Sequence, residues 1–291
     1  MTHTAAISAI ILYGVASVLL FFRLMRPSEG GSNLLDRVQR IFLLTGFAAH
    51  TVTLVSVVGD PRFTILNNGA DYFFWGSWGL AIAYILLSMR VTHPIIGAFL
   101  LPGIVLFMGS SSYLLHPNGS ADGSTASALV SPATVEMSAS GHLLAALHAA
   151  PALVAVVSLA LAFAVSCVFL IVDRGMKRRS SSNLSLGGPN LQVLDRLNRR
   201  LVQIGFVAIS LVIVSGGLWA VSEQKPVFTA DTSVVSGVAV WLLLAAILHM
   251  RFILRWSPKR VSRITVLVTG VFFVSVFAVM FFAGRVTHAN L

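Results

Sequence analysis

Eight long apolar runs divide this chain of 291 residues, and each is long enough to cross a lipid bilayer as a helix. The hydrocarbon core takes about 20 apolar residues of helix, because a helix satisfies its backbone N–H and C=O groups within the segment. Only 10% of the residues are charged, whereas soluble domains carry about 25%. The sequence therefore predicts an all-α integral membrane protein, a bundle of about eight transmembrane helices that forms a single membrane domain over 1–291. The predicted spans are 5–22, 41–58, 72–89, 94–111, 144–172, 201–221, 233–254 and 264–284.

The 20 lysines and arginines are unevenly divided between the two sides of this predicted bundle. All but Arg62, Lys225 and Arg285 fall in loops or span ends that share one side when the spans alternate in direction. Positively charged loops remain in the cytoplasm, so 173–200 is predicted to be a basic cytoplasmic loop and both termini to lie outside. The outer loop 112–143 has no Lys or Arg and is rich in small polar residues, which predicts a flexible segment. The net charge of +10 is thus a topological signal, and nucleic acid is not an expected partner.

Few classes of catalytic or metal site are compatible with the remaining residues. The single cysteine, Cys167, excludes an intramolecular disulfide framework and any site built from several cysteines. We find no Ser-His-Asp pattern, no paired carboxylates and no phosphate-binding loop, so no catalytic residue is assigned.

Four of the eight histidines lie within predicted spans or next to a span end. His50 is mid-membrane and His249 lies in the inner half of the seventh span, where an unpaired polar group costs about 1–3 kcal/mol and usually faces a partner or ligand. His148 lies near the outer start of the fifth span, and His288 follows the eighth span on the same side. Imidazoles from different helices can ligate haem iron axially. Hydrogen bonding between helices, for the first pair, and an interfacial position, for the second, remain alternatives.

Several motifs resemble, in their order and spacing, the cytochrome c assembly family that includes CcsA, CcmC and HemX. "GPNLQVLDRLNRRLVQIGF" (188–206) and "GGLWA" (216–220) are similar to its proline, leucine-rich segment, aspartate, Gly-Phe and Gly-x-Trp-Ala. "LHAAPALVAVVSLALAFAVSCVFLI" (147–171) resembles its fifth span, and "WLLLAAILHMR" (241–251) resembles its seventh. The likeness is greatest to the small eight-span HemX and YpjD-type members.

This resemblance implies a ligand set and a cargo. By position, His148 and His288 correspond to the outer axial ligands of haem iron, and His50 and His249 to membrane histidines on the haem route. Haem b is implied as cargo or as a transiently bound ligand. The implied partners are haem, the lipid bilayer, an apocytochrome and another cytochrome c biogenesis protein. A bacterial inner membrane is the expected location.

The family's tryptophan-rich outer segment is eroded in this chain. Asp231 and Trp241 keep the expected separation and are implied to contribute to haem binding, but the Pro-Lys-Glu core and central tryptophans are missing from 225–241. Because aromatic faces stack on a porphyrin, we expect covalent attachment of haem by this chain alone to be weak or absent.

The sequence is best interpreted as a haem-binding or haem-trafficking membrane protein serving cytochrome c biogenesis or haem supply. An enzymatic role stays open only as part of a haem-attachment machinery. A b-type electron carrier is an alternative, although such proteins usually place two ligand histidines on one helix. A small-solute transporter would predict polar positions or broken helices near the midplane; Pro102 and Pro151 could break helices, but no ionisable cluster accompanies them. A non-haem accessory subunit is the remaining alternative.

Overall fold

The computed structural model describes residues 2–25, 33–58, 69–90, 94–115, 139–178, 190–222 and 232–286. Within these ranges the chain is almost entirely α-helical and contains no strand. The eight helices are α1 (Thr2–Met25), α2 (Asn33–Val58), α3 (Gly69–Arg90), α4 (Pro94–Leu115), α5 (Ala139–Arg178), α6 (Leu191–Ser222), α7 (Thr232–Phe252) and α8 (Pro258–Val286).

All eight helices are long and apolar enough to cross a membrane. Large apolar side chains cover much of their outer surface, as at Leu267 and Val274, which are 66% and 70% exposed. Such surfaces are unfavourable in water and suit lipid contact. The prediction of an all-α, multi-pass membrane protein is therefore confirmed.

The chain divides into two compact units, Met1–Ala146 and Leu147–Leu291. In the first unit α1 packs against α2 and α4, and α3 packs against α4 and, over a shorter stretch, α2. An ion pair between Arg23 and Asp36, 2.7 Å apart, joins α1 to α2 at their basic ends. The single membrane domain over 1–291 stays a prediction.

In the second unit α6 packs against α7, and α7 against α8. Polar and close apolar contacts join α5 to α6: the Asn198 amide donates a hydrogen bond to the Ser166 hydroxyl, and a Cβ at Gly205 would lie 2.9 Å from Leu159. The glycine at this position leaves room for the Leu159 side chain against α6, as small residues permit in membrane helices.

Several helices extend beyond the apolar runs that predicted them. α6 begins at Leu191 instead of 201, and α2 begins at Asn33 instead of 41. The early part of α6 is amphipathic: Leu194 and Asn198 are buried, and Asp195 is paired with Arg251 of α7. Both ends of 173–200, which was predicted as a loop, are helical: α5 continues to Arg178 and α6 begins at Leu191. Hydropathy marks the part of a helix that lies in the membrane, and it does not mark where the helix ends. Residues 116–138 of the predicted outer loop lie outside the described residues.

Candidate functional site

His50 lies in the core of the first unit, on α2, and its side chain is 0% exposed. Its Nδ1 is 3.5 Å from the hydroxyl of Tyr13 on α1. The ring of Phe74 on α3 meets the imidazole edge-on, with centroids 4.7 Å apart. Three helices therefore converge on this imidazole. A residue larger than glycine at Gly46 would crowd Tyr13, whose ring lies 3.2 Å from the position of an added Cβ.

The other ring nitrogen of His50, Nε2, is buried and has no hydrogen-bond partner among the described residues. The backbone of Phe74 lies near the imidazole, outside hydrogen-bond geometry to Nε2. A buried nitrogen left in this way costs about 1–3 kcal/mol. The enclosure also means that a ligand as broad as a porphyrin could reach Nε2 only if side chains or helices moved apart.

His148 lies on α5 in the second unit and is half-buried. Its Nδ1 is 3.0 Å from the carbonyl oxygen of Val212 on α6. A carbonyl oxygen can only accept, so Nδ1 carries the proton and Nε2 keeps its lone pair. Histidines that ligate metals commonly donate their second ring N–H in this way, which fixes the tautomer and the ring orientation.

Three residues of α6 complete the surroundings of His148. The Ser215 hydroxyl is 3.5 Å from Nδ1, and the Trp219 ring centroid is 6.1 Å from that of the imidazole. The indole Nε1 of Trp219 is buried and has no partner among the described residues. Gly216 lets the imidazole approach, because an added Cβ would lie 3.1 Å from its Cε1 and Nδ1. The site thus offers one imidazole lone pair, one unused N–H donor and an aromatic face.

The chain is similar to known proteins over much of its length. The sequence profile of the family described as "Cytochrome C assembly protein" matches residues 67–286. The chain belongs to the cytochrome c assembly protein family.

Curated members of the cytochrome c assembly family extend the likeness over most of the chain. The cytochrome c biogenesis protein CcsA of Guillardia theta is 25% identical over 228 residues, covering 72% of this chain and 72% of that protein. The protein of the same name from Pyropia yezoensis is 23% identical over 288 residues, covering 84% of each chain. That of one strain of Prochlorococcus marinus is 23% identical over 261 residues, covering 81% of this chain and 79% of that protein.

The other residues that the resemblance to the cytochrome c assembly family singled out have different surroundings. Trp241 donates its indole N–H to the Ser210 hydroxyl at 2.9 Å and stacks on Phe206 with centroids 5.7 Å apart, so its ring is engaged in packing α7 on α6. His249 is exposed on the surface of α7. Asp231 and His288 lie outside the described residues. The structure thus brings His148 together with residues of α6, and His50 with residues of α1 and α3.

Tyr13, Phe74 and Ser215 contribute to these two sites and were not predicted from the sequence. Trp219 falls within the Gly-x-Trp-Ala motif of the cytochrome c assembly family, and that motif was the available signal for it. No comparable signal marks Tyr13, because its contact with His50 joins residues 37 positions apart.

No three His, Cys, Asp or Glu side chains within the described ranges are grouped to hold a metal ion. A bare metal ion would therefore find few protein ligands there. A metal that carries four ligands of its own, as haem iron does, needs only one or two protein donors, and a single oriented imidazole such as His148 meets that need.

Proposed function

We propose that this protein binds haem and delivers it to cytochrome c biogenesis, and that His148 Nε2 is one axial ligand of the haem iron. The observation that carries the proposal is the hydrogen bond from His148 Nδ1 to Val212, which leaves Nε2 as a lone-pair donor. Family membership supports haem as the cargo. By position in the chain we assign the second axial ligand to His288.

Trp219 has two features that suit a bound porphyrin. Its ring offers an apolar surface beside the imidazole, and its unpartnered Nε1–H is a donor available to a propionate carboxylate. Hydrogen bonds to ionised acceptors are about twice as strong as neutral ones. We assign Trp219 to positioning the haem edge, and His148 to holding the iron.

His50 and His249 are assigned to the route by which haem reaches the outer site. The unused Nε2 of His50 makes it a candidate for transient ligation. Since the imidazole is 0% exposed, the first unit must open before haem can reach it. Haem held there would be bound only while the helices are apart, which suits transfer better than storage.

The same proposal includes a location, a topology, partners and a type of haem. The protein would act in a bacterial plasma membrane, with both termini on the outer side, as the distribution of basic residues indicates. An apocytochrome and another membrane protein of cytochrome c biogenesis are its proposed partners. The haem would be haem b, carried as cargo.

The visible spectrum of the detergent-purified protein tests the proposal directly. Two imidazoles create a strong ligand field, so the co-purified haem should be low-spin. The His50→Ala variant should contain less haem when purified from cells, and its residual haem should keep the low-spin spectrum. Ser56→Ala is the matched control, because this exposed hydroxyl of the same helix donates to the Val52 carbonyl, its one partner in the described part of the chain. Absence of haem from the wild-type protein, even after stoichiometric addition, would refute the proposal.

Gly216→Ala should weaken haem binding without altering either proposed ligand. The added methyl group would lie 3.1 Å from the imidazole, so the ring must shift and its bond to Val212 must weaken. Loss of such supporting interactions lowers metal affinity by about 10-fold to 100-fold, and we expect the lower end, measured by haem titration. Gly237→Ala on α7 is the control, since no described side chain and no backbone of another helix lies within 4 Å of its Cβ position. Equal affinities for the two variants would show that the Val212 contact does not orient the ligand.

A further inference from the structure

A cleft of about 470 Å³ lies where α5 ends and where α6 and α8 begin. It therefore opens at the end of the second unit that carries most of the unit's basic residues, away from the His148 site. Its charged lining comes from all three helices: Asp173, Asp195, Arg196, Arg199 and Lys259. Phe169, Leu191 and Pro258 supply apolar surface. A mixed lining of this kind fits a ligand with a charged group on an apolar body.

The cations of the cleft are not fully neutralised by its carboxylates. Lys259 Nζ lies 2.7 Å from Asp173 Oδ2, and these two charges offset each other. Asp195 is shared between two guanidiniums: that of Arg251, whose side chain is 6% exposed, and that of Arg199 at 3.5 Å. One carboxylate thus serves two arginines, and the cleft is left with positive charge.

Two arginines of the cleft have N–H donors without a strong hydrogen bond among the described residues. Arg199 Nε is buried without a hydrogen-bond partner in the described part of the chain. Among the described residues, Arg196 reaches only the Gln192 carbonyl of its own helix, at 3.5 Å. The N-terminal end of α6 adds a partial positive charge at the same place, since Leu191 and Gln192 line the cleft. An anion placed here would meet two guanidiniums and a helix dipole of favourable sign.

We propose that this cleft binds the phosphate of an anionic phospholipid headgroup, with Arg196 and Arg199 as its principal contacts. Guanidinium groups match the geometry of phosphate oxygens, and basic pockets between membrane helices on the cytoplasmic side are typical sites for such headgroups.

The surface next to the cleft is suited to acyl chains, which argues for a lipid over a soluble anion. Arg199 lies 6.0 Å over the ring of Phe252, and Phe252 is followed by Ile253 and Leu254. These three side chains are 49%, 67% and 52% exposed. A phosphate held by the arginines would place its chains along this apolar surface. The proposal is independent of haem binding.

The test is binding of defined lipids to the full-length protein in neutral detergent, measured as a rise in its unfolding temperature. Phosphatidylglycerol should raise the unfolding temperature, whereas phosphatidylcholine and inorganic phosphate at equal concentration should not. Arg196→Gln should weaken phosphatidylglycerol binding about fivefold, since one basic residue near an anionic lipid contributes about that factor. Arg196→Lys should lose less, because the charge remains.

Arg263→Gln is the matched control, an exposed arginine of α8 outside the cleft. It should bind phosphatidylglycerol as the wild type does. The proposal is overturned if phosphatidylcholine stabilises equally, if inorganic phosphate alone gives the full effect, or if Arg196→Gln and Arg263→Gln behave alike. Haem content should be the same in both variants, so failure of the lipid site is distinguishable from failure of the haem site.

Discussion

Replacement of His148 by alanine is expected to remove most of the haem from the purified protein. The imidazole supplies the oriented Nε2, and no other described residue near it, neither Ser215 nor Trp219, is a comparable iron ligand. Loss of a supporting residue alone costs about 10-fold or more in metal affinity, so loss of the ligand itself should cost at least as much. Haem content per protein, measured by the pyridine haemochrome method, is the readout.

Added imidazole distinguishes loss of a ligand from loss of the fold in this variant. The free ring can enter the space left by the side chain, so imidazole should partly restore both haem content and the low-spin spectrum. Leu147→Ala is the control. The Leu147 side chain, next to His148 in sequence, is 51% exposed, and its removal should leave haem content unchanged. Wild-type haem content in His148→Ala would show that the ligand lies elsewhere.

Asp195→Ala is expected to destabilise the second unit strongly. Arg251 is 6% exposed and its guanidinium donates to the Asp195 carboxylate and to the Asp195 carbonyl. Removal of one partner of a buried ion pair costs about 3–5 kcal/mol, because the other charge stays buried and unpaired. Unfolding by a denaturing detergent titration should show the loss.

The matched control is Asp36→Ala in the first unit. Asp36 also pairs with an arginine, Arg23, but both side chains are nearly 30% exposed, so the loss should be about 1 kcal/mol or less. The double variant Asp195→Leu with Arg251→Met should recover most of the stability, because neither charge remains. If Asp195→Ala and Asp36→Ala lose equal stability, the Asp195 pair is effectively solvated.

The helices were predictable because the bilayer imposes a length and a composition on each of them. Eight spans were predicted, and the described residues contain eight helices long and apolar enough to cross a membrane. The ends of the helices were harder to predict from the sequence. The first turns of α6 carry charged residues, which favour a loop in a hydropathy profile, yet Asp195 and Asn198 face neighbouring helices. Hydropathy averages over all faces of a segment, so it cannot show that a polar residue has a partner.

The candidate sites were predictable only in their histidines. A resemblance to the cytochrome c assembly family, together with membrane depth, marked His50 and His148. The groups that surround them depend on the rotation of one helix against another: Tyr13 contacts His50 across 37 positions, and Val212 contacts His148 across 64. The rotation of one helix against another could not be predicted from a single sequence, so these contacts could not be predicted either.

The contacts between α5 and α6 impose a rotational register on the His148 imidazole, the proposed haem ligand. Asn198, Gly205 and Val212 follow one another at seven-residue intervals, close to two helical turns, and each meets α5. One residue inserted between Asn198 and Val212 would turn the Val212 carbonyl, and every side chain that follows it in α6, by about 100° relative to Asn198. The orientation of the His148 ring therefore depends on the number of residues between Asn198 and Val212, so we expect this helix to tolerate substitutions far better than changes of length.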